Sequence, residues 1–483
     1  MQFLTIQRIL GILLSLFSIS MLPAAAVSFY YDDGSIQVFI DAFILLLVTG
    51  VIFWFPARKH RKELKIRDGF IVVVMFWITL GLAGALPFFL TEVPKMSFTD
   101  AVFESMSGLT TTGATVLTGL DTLPEAVLFY RQFLQWLGGM GIVVLAVAIL
   151  PLLGVGGMQL YRAETPGPMK DSKLTPRITE TAKALWYIYL SLTIGCAVAF
   201  YLAGMSWFDA VSHSFSTVAI GGFSTHDASI GYFNSITIEM ITVVFMLLAG
   251  MNFSLHFLAW RHRSIRHYWA DSELRTYVWI LAIISVVVSS YLYFTHTYQN
   301  PWTAIHQGIF QTVSIGTTAG FTTADYSLWP GFLPILLLMT SYIGGCAGST
   351  GGGMKVIRVM LLFKQGYREV LRLIHPNAIF AIKVNNKALP TKVIGAVWGF
   401  LAMYVFCFSI MHLFLMATGL DIVTSFSAVT ACLNNLGPGL GEVSANFSSI
   451  NSPAKWVLCL AMLLGRLEIF TLLVVLTPAF WRR

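Results

Sequence analysis

The chain has 483 residues, 56% of them hydrophobic and only 11% charged, with a mean hydropathy of +0.75. A soluble domain carries roughly 25% charge, so this composition excludes an ordinary globular protein and points to a polytopic membrane protein. The net charge of +7 then reports loop orientation and contact with anionic lipid, not nucleic acid.

Residues 4–28 form a first apolar span. Arg8 and Pro23-Ala24-Ala25-Ala26 imitate a signal peptide. A second span (36–56) returns almost at once, with Asp32 and Asp33 but no Lys or Arg between the two, so residues 1–66 read as a retained accessory hairpin. Arg58, Lys59, Arg61, Lys62, Lys65 and Arg67 then mark a cytoplasmic loop. From here one plan runs four times, over 67–160, 161–262, 263–372 and 373–483. Each unit has an apolar span, a short amphipathic piece, a Gly-bearing turn, a stretch poor in Lys and Arg, and a return span. The outer spans lie near 70–90, 184–204, 276–297 and 393–419, and the return spans near 130–153, 238–260, 332–363 and 454–479. The short pieces (99–109, 207–217, 302–314 and 422–433) cannot cross a hydrocarbon layer of about 30 Å and fit re-entrant half-helices, which are tolerated only where buried in protein or lining a wet cavity. With both termini cytoplasmic and ten spans, only Lys95, Arg131 and Lys455 of the 30 Lys and Arg fall outside, and Arg466 falls within a span. That distribution obeys the positive-inside rule.

The turns carry the chemistry. Thr110-Thr111-Thr112-Gly113-Ala114, Ala219-Ile220-Gly221-Gly222-Phe223, Thr317-Thr318-Ala319-Gly320-Phe321 and Asn434-Asn435-Leu436-Gly437-Pro438 recur 98 to 117 residues apart. Positions six before each key Gly are Ser107, Ser216, Ser314 and Ala431, and positions twelve before are Ala101, Ala210, Gly308 and Ser425. A dehydrated cation needs oxygen ligands, and rings of backbone carbonyls supply them without fixed charge. Gly permits the required backbone angles and a close approach of four strands. Thr111, Thr112 and Thr318 offer hydroxyl support, and Asn434 and Asn435 side-chain hydrogen bonds. Helix C-termini aimed at the axis favour a cation. Taken singly, each turn is equally a helix C-cap. The turns hold no Asp or Glu, which disfavours a calcium-type carboxylate ring. Asp121, Asp227, Asp325 and Glu442 lie a few residues outward, either as an electronegative vestibule or as ordinary solvated loop acids.

The third return span is interrupted by Gly344-Gly345-Cys346-Ala347-Gly348-Ser349-Thr350-Gly351-Gly352-Gly353, followed by Met354-Lys355. Helix-interior Gly costs roughly 1 kcal/mol each relative to Ala, so a loop is expected at membrane depth, below the turns. It reads as a movable gate, as a loose loop packed between helices, or as a close helix contact through small residues. It is not a Walker A motif, because Met354 separates Gly353 from Lys355 and no strand precedes it. Arg466, about ten residues into the last span, is expensive there and needs a cavity or a partner. It either stands below the turns and holds the loop, or pairs with a buried acid such as Glu104. The inner loops at 162–183 and 364–392 carry Arg162, Glu164, Lys170, Asp171, Lys173, Arg177, Lys364, Arg368, Glu369, Arg372, Lys383, Lys387 and Lys392, a surface for lipid headgroups or a soluble regulatory subunit. Cys196, Cys346, Cys407, Cys432 and Cys459 are scattered and read as small apolar packing residues. His213 and His306 read as capping or packing residues.

Several runs are specific: GLTTTGAT (108–115), AIGGFSTHDASIGYF (219–233), TTAGFTT (317–323), IGGCAGSTGGGMKVIR (343–358), NNLGPGLG (434–441) and GRLEIFTLL (465–473). Through them the whole chain resembles the Trk/Ktr/HKT superfamily of potassium transporters, and the two extra N-terminal spans resemble its TrkH branch. The resemblance implies an all-α membrane protein, with four M1–P-loop–M2 repeats around a pseudo-fourfold pore plus the N-terminal two-helix hairpin, in the bacterial inner membrane. It implies a K⁺ filter from Thr111, Thr112, Gly113, Ile220, Gly221, Gly222, Thr318, Ala319, Gly320, Asn435, Leu436 and Gly437. A Gly at the first filter position of every turn fits potassium, where some sodium-carrying members have Ser. It implies a gate from Gly344, Gly345, Gly348, Ser349, Thr350, Gly351, Gly352, Gly353, Lys355 and Arg466. It also implies a homodimer and a cytosolic TrkA-like ring that binds NAD or ATP/ADP, with no nucleotide on this chain itself.

Three functions compete. A gated channel or uptake subunit fits the carbonyl turns. A K⁺/H⁺ or K⁺/Na⁺ symporter needs a titratable midplane site, and Glu468 is the one clear acid there. A membrane enzyme built on Ser349 lacks a neighbouring His as base.

Overall fold

The computed structural model describes residues 1–60, 62, 64–149, 178–385 and 387–482. The charged residues Arg162, Glu164, Lys170, Asp171, Lys173 and Arg177 lie outside them. The N-terminal hairpin consists of α1 (Phe3–Ser18), α2 (Met21–Tyr31) and α3 (Ile36–Ala57). It packs its buried face (Ile9, Leu13, Ala24, Ala42, Leu46) into the same core as the first and fourth units.

Unit one comprises α4 (Ile66–Leu90), α5 (Phe98–Leu109) and α6 (Glu125–Ile149). Unit two comprises α7 (Ile178–Leu202), α8 (Trp207–Ala219), α9 (Ile236–Ala249) and α10 (Phe253–His262). Unit three follows the short α11 (Arg266–Ala270) and comprises α12 (Ser272–Phe294), α13 (Pro301–Thr317), α14 (Leu333–Thr340) and α15 (Val356–Ile374). A two-residue-per-strand hairpin, β1 (Lys383–Val384) with β2 (Lys387–Ala388), leads into unit four. That unit comprises α16 (Thr391–Ala417), α17 (Ile422–Leu433), α18 (Ser452–Arg466) and α19 (Phe470–Leu476).

The short pieces are the helices α5, α8, α13 and α17, each started by a side-chain cap. Ser97 accepts from Asp100 N, Ser206 from Asp209 N, Asn300 from Trp302 N, and Asp421 from Val423 N and Thr424 N. Their C-terminal halves are buried, so the sequence's small, polar residues there pack against neighbours instead of facing solvent. Among the described residues six helical stretches are long and apolar enough to span a membrane, or eight if two bent pairs each count once.

Two breaks were not legible in the sequence. The second return span bends by 90° between α9 and α10, and the fourth by 116° between α18 and α19. In the fourth the chain reverses through Glu468 and Ile469, at φ +50° and +59°. The third return span breaks where the glycines predict, between α14 and α15.

Candidate ion pathway

The four half-helices end alike. In each, the N–H one residue before the key Gly donates to the carbonyl six before that Gly: Thr112 to Ser107, Gly221 to Ser216, Ala319 to Ser314 and Leu436 to Ala431, all 2.8 Å. The preceding N–H closes a tighter bond: Thr111 to Gly108 at 3.0 Å, Ile220 to Thr217 at 3.1 Å, Thr318 to Ile315 at 3.0 Å and Asn435 to Cys432 at 3.2 Å. This is a Schellman-type C-terminus, so the C-cap reading of the turns is correct as local structure. What sets them apart is the occupant. Thr111, Ile220, Thr318 and Asn435 hold φ between +53° and +71°, and three of these are β-branched. A β-branched residue in the left-handed region is an outlier that the surroundings must impose, and such strain concentrates at functional sites. Two residues on, Gly113, Gly222, Gly320 and Gly437 are again left-handed (φ +79° to +98°).

The turns close a ring. A Cβ at Gly113 would stand 2.2 Å from Gly221 O, one at Gly222 2.0 Å from Ala319 O, one at Gly320 2.0 Å from Leu436 O, and one at Gly437 2.7 Å from Thr112 O. Each key Gly therefore abuts the carbonyl one residue before the key Gly of the next unit, in the order one, two, three, four and back to one. Only a residue without a side chain allows that approach. Asn435 Nδ2 donates to Thr112 Oγ1 (3.0 Å) and to Met462 O (3.0 Å), tying unit four to unit one. Asn434 is held by Tyr404 and Ser341.

Side chains beyond the turns brace this ring. Arg131, read from the sequence only as an outer-side charge at the start of the return span, is 1% exposed on α6 and paired at 2.7 Å with Glu104, which is fully buried on α5. It donates further to Ser224 O (3.0 Å) and Thr115 Oγ1 (3.1 Å), joining the chain beyond the first turn to that beyond the second. Four residues on, Gln135 donates to Gly221 O (2.6 Å) and accepts from Phe223 N (3.1 Å). The signal was present: Arg131 and Gln135, at i and i+4 on a mostly apolar helix, share one face. At the outer rim Asp121, Asp227, Asp325 and Glu442 are all exposed. Asp121 contacts His226 Nδ1 at 2.5 Å, Asp227 accepts from Leu120 N at 3.0 Å, and Asp325 caps its own turn through Ser327 N at 3.0 Å. His226 also lies 3.4 Å from Asp209 and stacks on Tyr232. Burial pulls its pKa down, but Asp209 and Asp121 outweigh this and raise it above the usual histidine value. His213 packs between Asp209 O and Ser224 Oγ, and His306 pairs with Glu239 at 3.0 Å.

The Gly-rich loop lies against the helix ends of the turns. Gly353 N donates to Asn434 O (3.0 Å), Gly352 N to Thr318 Oγ1 (2.7 Å) and Thr350 Oγ1 to Val218 O (3.0 Å), while Gly351 lies close under Thr317 O. Lys355 Nζ reaches back to Gly351 O, and Ser349 Oγ to Cys346 O at 2.7 Å. Gly344 packs against Gly352, and Gly345 O accepts from Val356 N at 3.1 Å. Arg466 completes the set. It donates to Thr350 O and Thr111 Oγ1, both at 3.2 Å, and to Gly138 O and Gly139 O. Loop and arginine together touch the first, third and fourth turns and the last turn of α8 just before the second. The alternative pairing of Arg466 with Glu104 does not occur, because Arg131 holds that acid. Glu468 is bound by Arg358, whose guanidinium stacks 4.2 Å over the Phe400 ring. The five cysteines are buried and free, as the sequence expects.

A family model described as "TrkH: Cation transport protein" matches residues 35–482. The chain belongs to the TrkH family. It is 61% identical, over the full length of both chains, to the Trk system potassium uptake protein TrkH of Vibrio parahaemolyticus, and 56% identical over full length to that of Escherichia coli K12. The Trk system potassium uptake protein TrkG of E. coli is 41% identical over 99% of this chain and 98% of its own. The crystal structure of the potassium transporter TrkH from V. parahaemolyticus superimposes with a TM-score of 0.92, at 59% identity over 100% of both chains. A TrkH member is an all-α membrane transporter, so the enzyme reading built on Ser349 falls away. That serine's hydroxyl is spent on Cys346 O.

Proposed function

We propose that the chain carries K⁺ uptake across the bacterial inner membrane, through a filter formed by Thr111–Gly113, Ile220–Gly222, Thr318–Gly320 and Asn435–Gly437. The observation that carries this is the closed ring of Gly-to-carbonyl approaches, with positive and negative φ alternating from residue to residue across each triplet. Alternation turns successive peptide groups the same way, which is what a multi-ion carbonyl column requires. Gly344–Gly353 with Lys355 and Arg466 forms the gate, supported by its bonds to the first, third and fourth turns and to Val218 O at the end of α8. A gated channel is favoured over H⁺ or Na⁺ symport because Glu468, the one acid read as a coupling site, is neutralised by Arg358.

Partners follow from surfaces. Phe363, Tyr367, Val370 and Ile374 form an exposed apolar stripe on α15, a face for a homodimer to cover. The basic cytosolic residues suit lipid headgroups and a TrkA-like ring that carries the NAD or ATP/ADP itself. ⁸⁶Rb⁺ uptake into liposomes holding the purified chain tests the reading. Uptake blocked by excess K⁺ and indifferent to H⁺ and Na⁺ gradients supports the channel. Uptake that follows either gradient overturns it.

A further inference from the structure

We infer that Glu273 is the latch that holds the Gly-rich loop against the turns, and that the β1–β2 hairpin is its handle. This rests on the reading of the loop as a gate.

Glu273 is the second residue of α12 and is 7% exposed. A carboxylate at this place commonly caps its own helix, but Asp271 already does that by accepting from Leu274 N at 2.8 Å. Glu273 reaches across instead. Its Oε1 accepts from Ala347 N at 2.7 Å and from Ile357 N at 3.2 Å. Ala347 precedes Gly348, where the loop turns through φ +75°. Ile357 lies in the first turn of α15, whose own N-cap, Lys355, makes no side-chain cap bond. One buried oxygen from another helix thus caps α15 and pins the loop's entry. The segment held between these two points includes every loop residue that touches the turns. Losing that oxygen removes one hold from each end at once and leaves two N–H groups unpaired, the one on Ile357 buried.

The other side of the latch faces the cytosol. Asn385, in the β1–β2 turn, accepts from Ser272 N (2.8 Å) and donates to Asp271 Oδ2 (2.9 Å). These are the two residues immediately before Glu273. The hairpin is also tied to α15 by Lys364 Nζ, which donates to Lys383 O at 2.8 Å. A force on this exposed hairpin is therefore delivered one peptide away from the latch oxygen.

The native Cys346, buried beside Ala347, reports loop position independently of transport. The full chain in liposomes is treated with N-ethylmaleimide, Cys346 labelling is read by peptide mass spectrometry, and ⁸⁶Rb⁺ uptake is measured in parallel. Glu273→Ala is expected to raise both by about tenfold. Glu273→Gln removes the same charge but keeps an oxygen for both N–H groups, so it is expected to stay within about twofold of wild type. That comparison separates loop release from a direct charge effect on the thiol. Asn385→Ala, on the surface, is expected to raise both by a few-fold without loss of fold. Labelling that rises in Glu273→Ala while uptake stays flat keeps the latch and removes the gate. Labelling unchanged in both alanine variants overturns the latch, as does equal labelling in Glu273→Gln and Glu273→Ala. If Glu273→Ala aggregates, unchanged labelling in Asn385→Ala overturns it.

Discussion

Alanine at the four key glycines should produce a graded loss that follows the ring's geometry. All four sit in the left-handed region, where a side chain costs roughly 1–2 kcal/mol, so this term is common to the set. The contact differs. Against an ordinary contact of 3.4 Å, the new Cβ intrudes by about 1.4 Å at Gly222 and Gly320, which start from 2.0 Å, by about 1.2 Å at Gly113, which starts from 2.2 Å, and by about 0.7 Å at Gly437, which starts from 2.7 Å. Gly320 is worst placed, since Pro438 Cδ lies 2.8 Å away as a second obstacle. A displacement above 1 Å moves a carbonyl out of a cation's coordination shell. We expect Gly222→Ala, Gly320→Ala and Gly113→Ala to lose at least about 30-fold in ⁸⁶Rb⁺ uptake, and Gly437→Ala about tenfold or less. Serine at the same positions should admit Na⁺ alongside. The assay is paired ⁸⁶Rb⁺ and ²²Na⁺ flux in liposomes, with each variant shown monodisperse in detergent. Equal effects at all four positions, or a larger loss at Gly437, would refute the cyclic contact scheme.

Arg466→Ala removes the guanidinium that joins Thr350 to Thr111 and a positive charge beneath the turns, so uptake without any cytosolic partner should rise several-fold; a fall, measured by ⁸⁶Rb⁺ flux, would refute its role in the gate. Breaking the fully buried Arg131–Glu104 pair with Glu104→Ala should cost about 3–5 kcal/mol, read as a lower unfolding midpoint in detergent, and a change under 1 kcal/mol would show that the pair is not a brace. His226, its pKa raised by Asp209 and Asp121, contributes stability that is fully present below about pH 6.5 and is lost as pH rises through its elevated folded value. The wild-type midpoint should therefore fall between pH 6 and 8 relative to His226→Asn, and parallel curves would sink that assignment.

The membrane class, the four short helices before the Gly-bearing turns and the broken third span were legible because hydropathy and glycine spacing act locally. The small residues six and twelve before each key Gly marked register. The breaks in the second and fourth return spans were not legible. Neither Gly250-Met251-Asn252 nor Leu467-Glu468-Ile469 carries enough breaker chemistry to end a helix alone, and tertiary contacts decide both. The pairing of Arg131 was not legible because a charge-count topology assigns a side to each charge and says nothing of its partner. Its acid lies 27 residues away on another helix. Glu273 escaped for the same reason: a carboxylate near a helix N-terminus already has a local explanation.

The breaks acquire a reason once the loop is considered as backbone. At membrane depth each unpaired N–H costs several kcal/mol, and a glycine-rich loop has no side chains to screen its own. Its donors are met by carbonyls that interrupted helices release. Cys346 N donates to Gly250 O at 2.9 Å and Thr350 N to Ala249 O at 3.4 Å, both at the α9–α10 bend, where Phe253 N returns a bond to Gly348 O at 3.1 Å. In the fourth unit, the helix stops at Arg466, whose side chain meets Thr350 O, Thr111 Oγ1 and the Gly138 and Gly139 carbonyls of α6. The symmetric turns thus receive an asymmetric cover, contributed by the third unit and held by breaks in the second and fourth. Displacing it exposes donors and acceptors on three units together, so water must enter as the loop leaves. On the proposed reading of this loop as a gate, opening is expected to be all-or-none, with ion passage and hydration of the loop appearing together.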